Sequence, residues 1–250
     1  MSVSNTDINL PQILYEDNHI LAVNKKASQL VQGDKTGDTS LDDTIKKFLK
    51  EKYNKPGRVF LGVVHRIDRP VSGVTLFAKT SKSLARLNNL FKEGKIKKTY
   101  WAITKNSPPG ESGFATHYLK RNTKQNKSYA YNKPVAGSKE AKLSYRLIYR
   151  FENYFLLEID LITGRHHQIR CQLAKMNSPV KGDLKYGFPR SNPGGGISLH
   201  SRQMVFEHPV KKNTVIITAP PPDENLWKVF AEQTDYQTDA GKPDKNNKKS

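Results

Sequence analysis

Apolar side chains recur along the chain with two different periods. In "ILYEDNHILAVNKK" two short apolar stretches flank Asp17-Asn18, the pattern of two strands joined by a tight hairpin. In "TSLDDTIKKFLKEKY" the period changes: Leu41, Ile45, Phe48 and Leu49 recur at helical spacing. Ser40 stands as the cap with Asp43 three residues on, and Pro56-Gly57 stops the run. The apolar run "GVTLFAK", residues 73 to 79, predicts a buried strand. "TSKSLARLNNLFKEG" predicts a helix capped at Thr80 or Ser81, with Leu84, Leu87, Leu90 and Phe91 inward and Gly94 at its end. The next strand, "KIKKTYWAIT", sends Tyr100 and Trp101 to opposite faces, one to the core and the other free as a stacking platform.

Residues 105 to 142, rich in Pro, Gly, Ser, Asn and Lys, read as long loops with one short hairpin. Strands resume at "LSYRLIYR" and "YFLLEIDLI", and Thr163-Gly164 turns into a helix in "RHHQIRCQLAKM", where Ile169, Leu173 and Met176 keep helical spacing. "RQMVFEHPV" and "TVIITAP" add strands, and "ENLWKVFAE" a last short helix. A short extension, residues 1 to 12, precedes this body, and from about Gln233 the polar composition predicts a disordered tail, which leaves one domain over 13 to 232. Strands follow strands and helices are interspersed irregularly. That order predicts an α+β fold, a largely antiparallel sheet flanked by helices and loops, and lacks the rhythm of a doubly wound parallel sheet.

Charge adds a partner to this picture. The 250 residues carry a formal +19 with a sequence pI near 9.8, and the window from Lys79 to Arg150 holds 17 Lys and Arg against three acids. Self-repulsion of this size is kept where a polyanion neutralises it, and nucleic acid is the first candidate. A membrane is disfavoured, because there is no apolar span of about 20 residues and no long basic amphipathic helix. The N-terminus lacks the pattern of a secretory signal, and the one cysteine, Cys171, makes an intrachain disulfide impossible; the expected compartment is the cytoplasm. With no long exposed apolar helix to suggest a partner subunit, the expected state is a monomer.

The chemistry is narrowed first by absences. There is no glycine-rich nucleotide loop, no G-x-S-x-G, no H-E-x-x-H and no cysteine pair. His167 and Cys171, four apart, offer two metal ligands that His65, His200 or His208 would complete, though such a pair more often packs or hydrogen-bonds. "VVHRIDRPVSGVTLFAKT" places Asp68 between Arg66 and Arg69. Nearby cations favour an ionised carboxylate, which suits a nucleophile better than a proton donor. The competing reading is an Asp that caps a turn or pairs with Arg66 or Arg69 on the surface.

Four ordered segments then resemble one family. "HRIDRPVSGVTLFAKT" is similar to the H-R-[LI]-D-x-x-[TV]-S-G-x-x-x-x-A-K motif of the RluA/RluD-type RNA pseudouridine synthases. "YEDNHILAVNKKASQLV", "KKTYWAIT" and "LITGRHHQIRCQLAKMNSPVKGDLKYG" resemble its other elements in order, and "LHSRQMVFEHPV" also fits. The resemblance spans about residues 13 to 219 and implies isomerisation of uridine in ribosomal or transfer RNA, without metal or cofactor. It makes Asp68 the essential carboxylate, Tyr100 the residue stacked on the target uracil with a part in removing the carbon 5 proton, and Arg170 the cation paired with Asp68. Ile169 would wall the pocket, Arg66 would fill the space the flipped nucleotide leaves, and Arg165 and His167 would orient the turn and helix around the substrate. Departures are "NKKAS" in place of N-K-P-A-G, and Val71 where Thr is commoner. No S4 RNA-binding domain is expected, so substrate choice would rest on the catalytic domain. An RNA-binding protein without catalysis and a metal-dependent hydrolase are the other readings.

Overall fold

The computed structural model describes residues 11–34 and 37–233, so most of the expected N-terminal extension and the expected tail lie outside the described residues. The hairpin expected around Asp17-Asn18 is formed by β1 (Gln12–Glu16) and β2 (Ile20–Lys25), and Asp17 Oδ1 accepts the backbone N–H of His19 and Ile20 at 2.8 and 2.9 Å. α1 (Leu41–Lys52) begins where the cap predicts, with the Ser40 hydroxyl accepting the Asp43 N–H. Its Leu41, Ile45 and Leu49 are buried against Leu21, Val23 and Phe77 of the sheet. Each such side chain stabilises the fold by about 1.5–3 kcal/mol.

β3 (Gly62–Val63) leads through a loop to β4 (Ser72–Ala78), buried along its whole length. Both faces of β4 are covered, which is why its sequence is a near-continuous apolar run. α2 (Ser81–Lys92), capped by Thr80, packs Leu87 beneath the sheet, and Gly94 follows with φ +69°. β5 (Lys97–Thr104), β6 (Ser112–Asn122), β7 (Lys127–Tyr131), β8 (Lys139–Phe151), β9 (Tyr154–Leu161), α3 (Gln168–Lys175), β10 (Leu199–Glu207), β11 (Thr214–Thr218) and α4 (Asn225–Gln233) follow in the described residues.

One sheet joins eleven strands in the order β1-β2-β4-β10-β5-β9-β8-β6-β7, with β11 on β10 and β3 on β4. Among the described residues only β4 with β10 is parallel, so the sheet is mixed and largely antiparallel, as the element order predicts. That parallel contact needs Gly73. Its φ is +112°, and a Cβ there would collide with the Ser201 backbone. The adjacent Ser72 hydroxyl bonds His200 Nδ1 at 2.9 Å, and His200 Nε2 lies 3.2 Å from the Ala219 carbonyl.

Two expectations are corrected. Residues 105–142 are not long loops: β6 pairs antiparallel with β7 on one side and with β8 on the other, from Ser112↔Arg146 to Asn122↔Lys127. Inward Ala115 and Leu119 alternate with outward Phe114 and Lys120, and the polar outward face gives the segment the composition of a loop. Nor is either aromatic of β5 free at the surface. Tyr100 joins the core on one face, while Trp101 is buried on the other with Ile103, Leu156, Trp227 and Phe230, under the Arg202 guanidinium 4.4 Å from its ring. The sheet is covered on both sides there, which a single strand's alternation does not reveal.

Candidate active site

The loop between β3 and β4 carries Asp68, and its backbone is pinned from several sides. Val71 N–H donates to the Asp68 carbonyl at 3.0 Å, and Ile197 N–H to that of Pro70 at 3.0 Å. The Arg69 carbonyl accepts both Ser28 N–H at 2.9 Å and the Lys25 ammonium at 3.0 Å. Lys25 is fully buried and also donates to the carbonyls of Lys26 and Gln29, so all three of its protons are used. Burial pulls it down to about 7. The "NKKAS" turn, distant from Asp68 in sequence, is therefore a wall of its loop. Ser28, where the family pattern has Gly, holds φ +69°.

Neither sequence neighbour holds the Asp68 carboxylate. Arg69 turns away to Asp38 at 2.8 Å, and Arg66 stands exposed at the pocket. The cation on Asp68 comes from α3: Arg170 Nη1 donates to Asp68 Oδ2 at 3.0 Å. Its Nε and Nη2 grip both oxygens of buried Asp183 at 2.6 and 2.8 Å, and Tyr186 lies under the guanidinium at 5.1 Å. Burial opposes the charge on Arg170, but the bonds to Asp183 and the pull of Asp68 outweigh it and raise its pKa. An arginine in the first turn also faces the positive end of a helix, an additional reason for two carboxylates around it.

His167 caps α3 in a left-handed conformation, φ +53°, unusual for a residue with a side chain. Its Nε2 lies 3.6 Å from Asp68 Oδ2, and its Nδ1 is 3.0 Å from the Tyr186 hydroxyl. Burial, with the charge of Arg170, lowers its pKa to about 2, so it is neutral. The turn ahead of it is built by Gln168, whose Oε1 accepts Thr163 Oγ1–H and Arg165 N–H at 2.8 and 2.9 Å.

All seven candidate residues, Arg66, Asp68, Tyr100, Arg165, His167, Ile169 and Arg170, line one pocket of about 260 Å³. Ile169 is both wall and core, buried in the main cluster. Arg165 is exposed at the edge, its Nε donating to the Glu140 carbonyl at 2.9 Å. Tyr100 is buried, and desolvation, offset in part by Ser201 and helped by Asp68, raises its phenol to about 12.

Sequence reasoning offered the pocket residue His65 only as a possible metal ligand, and did not assign Lys98 or the supporting pair Asp183 and Tyr186. His65 Nε2 accepts the Leu76 N–H at 3.0 Å, and its ring stacks on Phe91. Lys98 enters beside Tyr100 and has no acidic partner within ion-pair distance among the described residues. The K-x-Y spacing carries that signal for Lys98. Nothing local announces that residue 183 meets residue 170. The metal alternative finds its members engaged separately: Cys171 Sγ donates to the Ser128 carbonyl at 3.2 Å, and His208 Nε2 is 2.9 Å from Asp17. No group of three or more potential ligands is gathered among the described residues.

A model of the RNA pseudouridylate synthase family matches residues 19–175. The chain belongs to that family. Pseudouridylate synthases are isomerases acting on RNA, and similar relatives carry such names. One is ribosomal large subunit pseudouridine synthase C of Buchnera aphidicola subsp. Baizongia pistaciae, 31% identical over 216 residues, an alignment covering 83% of this chain and 66% of the relative. Another is ribosomal large subunit pseudouridine synthase D of Borreliella burgdorferi, 33% identical over 187 residues, covering 72% and 56%. The chain thus spans less than two thirds of either relative. Human RNA pseudouridylate synthase domain containing 4 has the same fold, with a TM-score of 0.73 at 20% identity over 88% of this chain and 92% of that one. Among the described residues, no helix is long and apolar enough to cross a membrane.

Proposed function

We propose that this pseudouridylate synthase pocket isomerises uridines of large-subunit ribosomal RNA to pseudouridine, with Asp68 as the essential carboxylate. The observation that carries the reading is the Asp68–Arg170–Asp183 array, a carboxylate aimed into a pocket and held by a buried guanidinium that a second carboxylate anchors. Transfer RNA is the other substrate class; the names of the relatives favour ribosomal RNA.

In this reaction the bond from ribose carbon 1′ to ring nitrogen 1 breaks, the ring turns, and carbon 1′ bonds carbon 5. Carbon 5 gives up a proton and nitrogen 1 gains one, so no oxidant or net acid is consumed. Asp68 acts on the sugar or base as nucleophile, or as the base that takes a sugar proton. Arg170 fixes its direction, and the Asp183 anchor lets the guanidinium stay buried when Asp68 engages the substrate. Tyr100 offers its ring to the uracil; a phenol near 12 is protonated at neutral pH, which favours stacking over removal of the carbon 5 proton. The target must leave its stack, at a cost of a few kcal/mol. Arg66, at the pocket, would fill the gap, Arg165 and Lys98 would meet phosphates, and the basic 79–150 window would supply further backbone contacts.

The test is tritium release from large-subunit ribosomal RNA labelled at uracil carbon 5, with pseudouridines mapped in total RNA from cells with and without the gene. Release, and the loss of one or more ribosomal pseudouridines with the gene, are expected. Release from transfer RNA alone would move the substrate class, and none from any cellular RNA would leave a binding protein.

A further inference from the structure

Tyr186 ends the 3₁₀ turn Leu184–Tyr186 and is nearly buried. Its hydroxyl has two partners: the Ser128 backbone N–H, which donates to it at 2.8 Å, and His167 Nδ1 at 3.0 Å. The other imidazole nitrogen, Nε2, faces Asp68 Oδ2 at 3.6 Å. A neutral imidazole carries one proton, and only one of its two forms satisfies both sides. With the proton on Nδ1, the Nε2 lone pair would point at a carboxylate that can only accept. With the proton on Nε2, the N–H dipole points at the carboxylate, and Nδ1 accepts from the tyrosine. Ser128 N–H already fills an acceptor site on that hydroxyl, which leaves the Tyr186 proton free for Nδ1.

We propose that Tyr186 is a positioning residue that fixes His167 as the Nε2–H tautomer and thereby helps hold the Asp68 carboxylate toward the pocket. At 3.6 Å the His167 contact is longer than a hydrogen bond, so it acts as an oriented dipole that adds to the direct bond from Arg170. The same ring supports Arg170 from below at 5.1 Å and meets the His167 ring edge-on at 5.7 Å, so one side chain touches both partners of Asp68. Burial raises the phenol of Tyr186, which keeps it a donor. Because Ser128 belongs to β7, the chain of contacts runs from this basic edge of the sheet to Asp68.

The effect on turnover rests on Asp68 being the catalytic carboxylate; the tautomer does not. Long-range proton–nitrogen NMR of the full chain, labelled with ¹⁵N-histidine, reads the tautomer with no variant and no RNA. The Nε2–H pattern is expected for His167, and the Nδ1–H or doubly protonated pattern at neutral pH would overturn the proposal. In Tyr186→Phe, a mixture of tautomers is expected, with kcat lowered about tenfold, the scale of one hydrogen bond, and KM within about twofold. In a His167→Ala background the same change is expected to cost no further rate. A full additional tenfold loss there would mean that Tyr186 acts only through packing. Should Asp68→Asn retain activity, the proposed function fails, whereas the NMR result still decides the tautomer.

Discussion

Two regions of the molecule treat charge in opposite ways. Around the Asp68 loop, ionic groups are buried and matched: Lys25 is fully buried with three carbonyl partners, and Asp183 is held in a two-pronged bond with Arg170. At the β6–β7–β8 end, Lys124 and Lys133 stand exposed, and no ion pair holds them among the described residues. A buried charge costs several kcal/mol unless it is satisfied, so the first arrangement fixes a geometry. An exposed lysine costs little and stays available for a phosphate. The difference separates the part of the molecule suited to chemistry from the part suited to holding a polyanion.

Substitutions in the two regions should therefore fail differently. Asp183→Ala leaves a buried guanidinium with one carboxylate, and a loss of about 3–5 kcal/mol in stability is expected in denaturant titration, with turnover falling in what remains folded. A loss below about 1 kcal/mol would mean that the pair is not a structural anchor. Gly73→Ala drives a methyl group into the Ser201 backbone at a φ disfavoured for alanine, and about 2 kcal/mol is expected from thermal unfolding, with the β4–β10 contact opening first in hydrogen exchange. The smallest effect belongs to the basic end. The double change Lys124→Gln and Lys133→Gln should leave stability within about 0.5 kcal/mol and lower the salt dependence of RNA affinity by up to about two in slope, with kcat unchanged. An unaltered slope would remove that face from the RNA path.

Much of the fold was legible where the signal is local. Ser40 and Thr80 announce the starts of α1 and α2, Asp17-Asn18 the first hairpin, and the unbroken run at 73–79 the central strand. The pairing of β6 with β7 and β8 was not, because outward Ser112, Thr116, Lys120 and Lys139 are polar, outward Phe114 and Tyr129 blur the alternation, and the inner face is marked by few apolar side chains, Ala115, Leu119, Ala141 and Leu143 among them. The candidate site was legible through motif resemblance more than through electrostatics. Reasoning from the neighbours Arg66 and Arg69 expected the wrong cations on Asp68, since successive loop side chains diverge; the partner is 102 residues away. Asp183 and Tyr186 lie in the quoted "KGDLKYG", yet their approach to Arg170 and His167 is a tertiary fact.

The most direct measurement compares Asp68→Asn with the unaltered protein on the same carbon 5-labelled ribosomal RNA, following tritium release and RNA affinity in parallel. The neutral amide keeps the shape and removes the negative charge. Release should fall at least about a thousandfold, with RNA affinity within about threefold. Release at an undiminished rate from a folded Asp68→Asn protein would contradict the assignment of Asp68 and the mechanism built on it.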